Sequence, residues 1–223
     1  MIPLELVVAR YEEDLAWLRK VPRSICCTVY NKGQTTTPTH STPLPNLGHE
    51  SQTYLHHIVS RYDSLNAITT FCQGHPFDHA SDFHKVLRQL HEGTLSVKNF
   101  LWLGFIIEWD DPKGARIFQN WSKNPARDLL DLDYFCRQLF GEPAPSRFIF
   151  YPGAQFVVTK ETIHQRPLDF YQKALAFSET IPHAAHCFER TWDRIFQVNG
   201  LPEEFSGKEL PFYLKKIRRL QDD

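Results

Sequence analysis

The stretch that decides the fold is LELVV (residues 4–8), which is followed at once by the charged run RYEED (residues 10–14). A short apolar run rich in β-branched residues is typical of a buried strand. The charged run predicts a polar loop and then a helix with an acidic first turn, because carboxylates near a helix N-terminus interact favourably with the helix dipole. The chain is therefore expected to open with a strand, a loop and a helix.

The same alternation continues along the chain. Further strands are predicted at residues 24–30, 67–72, 148–151 and 155–159, and the apolar run 100–107 is a buried strand or helix segment. Helices are predicted at residues 48–62, 82–90, 125–139, 167–178 and 183–197. Residues 31–48 are expected to form a long loop, and the basic tail 215–219 a short terminal helix or a frayed end. This order predicts a single α/β domain over residues 1–223, with a mainly parallel central sheet flanked by helices.

Composition excludes two broad classes of protein. The 223 residues carry 25 Lys and Arg against 26 Asp and Glu, a formal net charge of -1, so a nucleic-acid partner is not expected. Apolar residues make up 42% of the chain, which is too many for a disordered protein and enough for one hydrophobic core.

Location is predicted from the cysteines and from the apolar runs. The five cysteines are an odd number at no recognisable spacing, and we interpret them as reduced core residues of an intracellular protein. The longest apolar run, residues 100–107, is far shorter than the ~20 residues that span a bilayer, so no membrane span is expected. The first residues have no basic leader before their apolar run, which favours the cytoplasm.

Candidate site residues lie in the loops after the predicted strands, where parallel α/β sheets bind ligands. Arg10 follows the first strand and Lys32 the second. The loop FCQGHPFDH after the third strand holds two imidazoles and a carboxylate, which together bind a divalent metal or move a proton. Its polar side chains are Gln73, His75, Asp78 and His79.

A structural interpretation of this loop stays open beside the functional one. Asp78 is then the N-cap of the next helix, His79 lies in its first turn, and His75 is solvated. The spacing His-Pro-Phe-Asp-His matches no standard zinc pattern.

Two glutamates in predicted helices are further candidates. Glu50 opens the helix at 48–62 and can share a face with His57, although a glutamate is favoured in a first turn for helix stability alone. Glu189 shares a predicted helix with Trp192 and is otherwise an ordinary acidic residue. The chain has no Walker loop, no GxGxxG, no GxSxG and no HExxH, which excludes the standard sites that use them.

With these loops identified, the chain resembles a family of uncharacterised bacterial and fungal proteins known as domain of unknown function 3431. The resemblance rests on blocks that together cover the first ~90 residues and, more sparsely, the last third of the chain. These blocks are LVVARYEEDLAWL, VYNKG, LPNLGHESQTYLHHIVSRYDSL, FCQGHPFDH, PGAQFVVTKETIHQRPLDFY and ERTWDRIF.

That family in turn is distantly similar to glycosyltransferases of the A-type nucleotide-sugar fold. The resemblance implies a nucleotide site at the loop ARYEE after the first strand, and an acceptor side at GAQFVVTKETI, with QGHPFDH standing where such enzymes carry an Asp-x-Asp metal motif. It implies a saccharide or other small-molecule substrate and a nucleoside diphosphate sugar as donor. The substrate-binding residues implied are Arg10, Glu12, Lys32, Gln73 and Gln155.

The implied chemistry is displacement at an anomeric carbon with a nucleoside diphosphate as leaving group. Cations or a divalent metal, Mn or Mg, neutralise the diphosphate, and a carboxylate or an imidazole accepts the proton of the acceptor hydroxyl. Arg10 and Lys32 supply the cations, and the metal ligands are His75, Asp78 and His79. The catalytic candidates are Glu50, Asp78 and Glu189.

Two other functions remain open at this point. The first is a metal-dependent hydrolase or lyase that uses the His, Asp and Glu residues without a nucleotide sugar. The second is a non-catalytic binding module with a degenerate transferase fold, because a fold does not fix a function.

Overall fold

The computed structural model describes residues 3–35 and 40–214, which form strands and helices around a six-stranded sheet. The strands in these residues are β1 Leu4–Arg10, β2 Cys26–Asn31, β3 Ser41–Pro43, β4 Ile68–Gln73, β5 Phe100–Trp102, β6 Ile106–Asp110, β7 Phe148–Phe150, β8 Phe156–Thr159 and β9 Phe212–Tyr213. The α-helices are α1 His49–Arg61, α2 Phe83–Glu92, α3 Leu132–Phe140, α4 Lys160–Ile163, α5 Leu168–Thr180, α6 Ala184–Glu189 and α7 Trp192–Ile195.

The central sheet has the strand order β3-β2-β1-β4-β8-β5. The first four strands are parallel, and β8 runs antiparallel between β4 and β5. All seven residues of β1 are buried, because this strand has a neighbour on each side and both of its faces are covered. The predicted α/β fold with a mainly parallel central sheet is therefore confirmed.

Each face of the sheet packs against its own group of apolar side chains. Val7, Phe71 and Phe156 point to the face covered by α1, α5 and α6, whereas Val8 and Cys72 point to the face covered by α2. Because successive side chains of a strand point to opposite faces, one apolar run supplies both layers. The second sheet, with the order β7-β6-β9, was not predicted.

The helix predicted after β1 is wrong. The chain forms only a short 3-10 helix, Ala16–Lys20, after an irregular segment. In that segment Glu13 Oε2 accepts a hydrogen bond from the Tyr11 backbone N–H (2.7 Å), and Asp14 Oδ1 accepts one from the Ala16 N–H (2.9 Å). Such local bonds from acidic side chains satisfy backbone donors outside a helix and compete with helix formation.

Three other predicted boundaries need correction. The apolar run 100–107 is divided between β5 and β6, which belong to different sheets. The helix predicted at 125–139 begins only at Leu132, where the Asp131 side chain accepts the Tyr134 N–H as an N-cap. The helix predicted at 183–197 is interrupted between Glu189 and Trp192.

The described part of the chain tests two further expectations. Cys72, Cys136 and Cys187 are buried as predicted, but Cys26 and Cys27 are exposed, because β3 pairs with β2 only from Val29 onward. Within residues 3–35 and 40–214 no helix has the length and apolar character needed to cross a membrane. The predicted terminal helix or frayed end at 215–219 lies outside the described residues.

Candidate active site

Lys32 connects the end of β2 to the beginning of α1. Its Nζ donates hydrogen bonds to the carbonyls of Leu47 and His49, each 2.5 Å away, and the residue is only 6% exposed. Burial lowers the pKa of Lys32 to about 8, and the nearby Glu50 and Glu179 carboxylates oppose that shift. The predicted substrate-binding lysine thus fixes the start of α1 at the carboxyl end of the sheet and brings a positive charge there.

Glu50 lies in the first turn of α1, next to this lysine. The residue keeps some contact with solvent, yet burial of its carboxyl group raises the pKa to about 7. The negative charge of Glu189 raises it further, whereas the positive charges of His186 and Lys32 act in the opposite direction. A carboxyl group whose pKa is raised by burial and by a neighbouring carboxylate is a candidate for proton transfer.

Glu189, at the end of α6, is the second carboxylate of the cluster. Its Oε1 accepts the Gly153 backbone N–H at 2.7 Å, and its Oε2 lies 3.3 Å from Arg190 Nη1 and 3.8 Å from His186 Nδ1. Burial opposes ionisation of Glu189, but the hydrogen bond with His186 and the charge of Arg190 outweigh it, so the pKa is lowered. The sequence predicted Glu50 and Glu189 separately, and the structure brings them together.

Arg190 contacts Glu189 and also forms an ion pair with Asp110. This ion pair was not predicted from the sequence. Arg190 Nη2 and Nε donate to Asp110 Oδ2 at 2.7 and 3.0 Å, and both side chains are buried. Arg190 Nη1 also donates to the His186 carbonyl at 2.9 Å. Asp110 and Arg190 lie far apart in the sequence, and no local pattern links them.

The side chains of Arg10 and Glu12 form hydrogen bonds with other residues of the protein. Arg10 is 6% exposed and donates five hydrogen bonds, all within residues 11–35. Glu12 accepts from the Gln34 N–H and the Thr35 hydroxyl, and these bonds lower its pKa. The two predicted substrate-binding residues therefore hold the loops after β1 and β2 in place.

Gln73 and Gln155 lie beside the loop after β4. Gln73 is the last residue of β4 and is partly buried. Gln155 is fully buried, and its Nε2 donates to the Pro76 carbonyl at 3.0 Å. Gln155 therefore supports the loop that carries the predicted metal ligands.

The predicted metal ligands do not come together as one site. His75 Nδ1 is 3.3 Å from Asp78 Oδ1, and both side chains are more than half exposed, at 51% and 73%. His79 instead packs its ring against Gly153, where an added Cβ would lie 2.5 Å from the His79 Cγ. Among the described residues, no three His, Cys, Asp or Glu side chains are arranged to hold a metal ion. The residues present do not fit the predicted metal.

The structural interpretation of this loop is only partly right. His75 is solvated as expected. However, α2 begins at Phe83, so Asp78 is not its N-cap and His79 is not in its first turn. Asp78 closes a short 3-10 turn, Pro76–Asp78. Gly153 lies between His79 and Glu189. Its Cα packs against the His79 imidazole, and its backbone N–H donates a hydrogen bond to the Glu189 carboxylate.

The arrangement supports acid–base chemistry. The pKa of Glu50 lies near neutrality while that of Glu189 is lowered, and such a separation between neighbouring carboxyl groups assigns them different roles. Glu50 is suited to exchange a proton at neutral pH, and Glu189 remains an ionised partner. Lys32 supplies a positive charge beside the pair, and the His186 imidazole lies 3.8 Å from the Glu189 carboxylate.

One family of proteins is similar to this chain over most of its length. A search of the curated proteins finds no match. Residues 6–204 match the family model described as "Protein of unknown function (DUF3431)". This segment contains β1 from Leu6 onward, Glu50, the β4 loop and Glu189, and it spans most of the chain. The chain belongs to the DUF3431 family.

Proposed function

We propose that the protein is a glycosyltransferase-like enzyme in which Glu50 is the general base for the acceptor hydroxyl. The donor is a nucleotide sugar, and the product is a glycoside. The observation that carries the proposal is the position of Glu50 in the first turn of α1, where the buried cation Lys32 binds the start of the helix. Burial of the Glu50 carboxyl group raises its pKa to about 7, which suits a general base at neutral pH. The position of Glu50 at the carboxyl ends of parallel strands supports it, because open α/β sheets bind ligands there.

The proposed reaction has one proton transfer and one displacement. The acceptor oxygen forms a bond to the anomeric carbon, the bond from that carbon to the diphosphate oxygen breaks, and the nucleoside diphosphate leaves with the electron pair. Glu50 takes the proton of the acceptor hydroxyl. Lys32, a buried cation bonded to the first turn of the same helix, partly neutralises the leaving diphosphate.

No step of this reaction is assigned to a metal. The predicted ligands His75 and Asp78 are exposed, and His79 packs elsewhere. The loop after β4 contributes instead through His79, which packs beside the Gly153 amide that binds Glu189.

The test is release of nucleoside diphosphate from uridine and guanosine diphosphate sugars in the presence of a saccharide acceptor panel. We expect Glu50→Gln to lower kcat by about 10²- to 10⁴-fold, the usual contribution of a general base. Glu161→Gln, which changes an exposed glutamate of α4, is the matched control and should retain wild-type turnover. Turnover by Glu50→Gln equal to that of the wild type would exclude the role of Glu50.

A glycoside hydrolase is the second candidate, because a pair of carboxyl groups with separated pKa values also serves hydrolysis. Nucleotide binding distinguishes the two. Uridine or guanosine diphosphate at a hundredfold excess over Kd should stabilise a transferase by about 2.7 kcal/mol in thermal unfolding. A hydrolase should gain no stability from either nucleotide and should cleave saccharides without one.

We also propose that the enzyme acts in the cytoplasm. All five cysteines are free thiols, including the adjacent exposed pair Cys26 and Cys27. Thiols in these positions are kept reduced by the glutathione and thioredoxin of that compartment.

A further inference from the structure

An exposed tryptophan lies next to the acid–base cluster, which comprises Glu50, Glu189, His186 and Lys32. Trp121 is 41% exposed, and its ring centroid is 5.0 Å from that of His186, which contacts Glu189. Trp17, Trp102 and Trp192 are buried, and Trp109 has the Arg116 and Arg147 guanidinium groups over its ring. The feature that sets Trp121 apart is its contact with His186, which itself contacts Glu189, because an aromatic ring beside polar groups can bind a ligand with both apolar and polar parts.

The loop that carries Trp121 is held in one conformation from its beginning. The Asp110 carboxylate accepts backbone N–H groups of residues 111, 116, 117 and 118. The same carboxylate binds Arg190, which contacts Glu189. One buried carboxylate therefore fixes both the start of the Trp121 loop and the support of Glu189.

The end of the loop is fixed in a similar way. The Asn124 side chain is buried, and its Nδ2 donates to the carbonyls of Phe118 and Asp128, each 3.0 Å away. Its Oδ1 accepts the Asp128 N–H at 3.1 Å. The Trp121 ring is thus presented by a loop whose backbone is tied on both sides of it, which lowers the entropy lost when a ligand stacks on the ring.

Polar side chains surround this ring. His186 lies between Trp121, Phe118 and Glu189, with ring centroids 4.6 Å apart for His186 and Phe118. His183 Nε2 is 3.2 Å from Asp128 Oδ2, and the His183 ring packs on Phe118 as well. A flat apolar surface bordered by imidazoles and carboxylates offers one partner for carbon–hydrogen groups and several for hydroxyl groups.

We propose that Trp121 is the stacking platform for a pyranose ring of the acceptor saccharide. This inference rests on the proposed function, and it assigns the acceptor's chemical class and its subsite. The apolar face of a pyranose covers the tryptophan ring, and its hydroxyl groups bond to His186 and to the carboxylates beside it. The next hydroxyl along the acceptor then reaches Glu50.

Charge favours a neutral sugar over a nucleotide at this subsite. Glu189 Oε2 lies 3.8 Å from His186 Nδ1, and Asp128 Oδ2 lies 3.2 Å from His183 Nε2. These carboxylates accept hydrogen bonds from hydroxyl groups but repel phosphates. Lys123 Nζ lies 5.7 Å from the Trp121 centroid, and the nearby Arg127 guanidinium donates to Asn120 Oδ1 at 3.2 Å.

Tryptophan fluorescence tests the platform directly, because Trp121 is more exposed to solvent than the other four tryptophans of the chain. The probes are methyl glycosides of glucose, galactose and mannose, together with cellotetraose and chitotetraose, titrated into the full chain at millimolar concentrations. At least one probe should change the emission with saturation. Trp121→Ala should weaken its binding by about tenfold or more, and Trp121→Phe should retain part of it.

Tyr134→Ala is the matched control, because it removes another exposed ring, 51% accessible, on α3. It should bind the probe as the wild type does. The platform is overturned if no probe changes the emission, if Trp121→Ala binds as tightly as the wild type, or if uridine and guanosine diphosphates quench Trp121 while the saccharides do not.

Glu50→Gln separates this inference from the proposed function. It should abolish transfer but retain the saccharide-dependent change in emission. Saccharide binding at Trp121 without any transfer by the wild type would overturn the transferase and leave the platform standing. Transfer that depends on Glu50 but has the same acceptor KM in Trp121→Ala would overturn the platform and leave the transferase standing.

Discussion

Glu50 is the residue in which function and stability conflict. Its pKa in the folded protein is about 7, against 4.5 for an ordinary glutamate. Between these values the folded state binds more protons than the unfolded state, so stability falls as the pH rises from about 4.5 to about 7. Above pH 7 the folded protein carries the full cost of a desolvated carboxylate, as groups placed for catalysis often do.

Replacing Glu50 by glutamine removes that cost. We expect Glu50→Gln to be more stable than the wild type at pH 8, by about 1 to 3 kcal/mol, and to differ little near pH 4.5. Urea unfolding at the two pH values measures the difference, with Glu161→Gln as the control for the loss of one negative charge. A Glu50→Gln variant that is less stable than the wild type at pH 8 would contradict the raised pKa of this carboxyl group.

At the scale of elements, the turn between β7 and β8 connects the sheet to the site. Gly153 has a φ of +97°, donates its N–H to Glu189, and faces the His79 ring so closely that a Cβ would lie 2.5 Å from Cγ. Gly141, at the end of α3, also has a positive φ of +76°, but a Cβ there would meet nothing within 4 Å. The two glycines differ in their surroundings more than in their backbone.

Because of this difference, alanine substitutions at Gly141 and at Gly153 form a matched pair of variants. Gly141→Ala should cost about 1 to 2 kcal/mol of folding free energy, from the backbone conformation alone. Gly153→Ala should cost about 1 to 3 kcal/mol more, because His79 must move, and should also lower turnover by shifting the amide that binds Glu189. Urea unfolding and the transfer assay measure both effects. Equal costs for the two variants, with turnover unchanged, would show that the turn does not position Glu189.

The sequence predicted a strand or a helix correctly where a single physical cause determines that element. The apolar runs of β1, β4 and β8 are short and largely buried, so their composition alone indicates strands. The late start of α3 depends on the Asp131 cap, and the interruption between α6 and α7 occurs where Arg190 turns toward Asp110. Such side-chain contacts cannot be inferred from the pattern of apolar residues in the sequence.

For the site, the sequence identified individual residues but not their partners. Glu50 follows from its place in the first turn of a helix, and Lys32 from its place after a strand. Asp110 comes close to Arg190, and Trp121 comes close to His186, only through the packing of α6 on the loop after β6. Their sequence separations carry no periodicity from which this contact could be predicted.

At the scale of the whole molecule, the centre of the sheet holds a buried charge. Glu5 in β1 is 5% exposed; its carboxylate accepts hydrogen bonds from Thr28 and Asn66, each 2.7 Å long, and lies 3.7 Å from His57 Nε2. Burial opposes ionisation of Glu5, but the contacts with His57, Thr28 and Asn66 outweigh it and lower the pKa to about 2. The charge links β1, β2, α1 and the loop before β4.

This charge predicts how the protein responds to acid. Because the folded pKa is below the unfolded value of 4.5, the stabilisation is complete above pH 4.5 and is lost as the pH falls toward 2. Its size is about 3 kcal/mol. Glu5→Gln should therefore be markedly less stable than the wild type at pH 7, with the difference shrinking between pH 4.5 and 2.5. Guanidinium unfolding over that range measures it, and a difference independent of pH would contradict the role of the charge.

The central claim is that Glu50 and Glu189 form one acid–base centre, and titration of the Glu50 carboxyl group tests it without knowledge of the substrate. Carbon-13 NMR of protein labelled at the glutamate carboxyl carbons, recorded for the wild type and for Glu50→Gln, identifies the resonance of Glu50 by its loss. We predict that this carboxyl titrates near pH 7, well above the pKa of 4.5 of an ordinary glutamate. A Glu50 resonance that titrates near pH 4.5 with the exposed glutamates would contradict the claim.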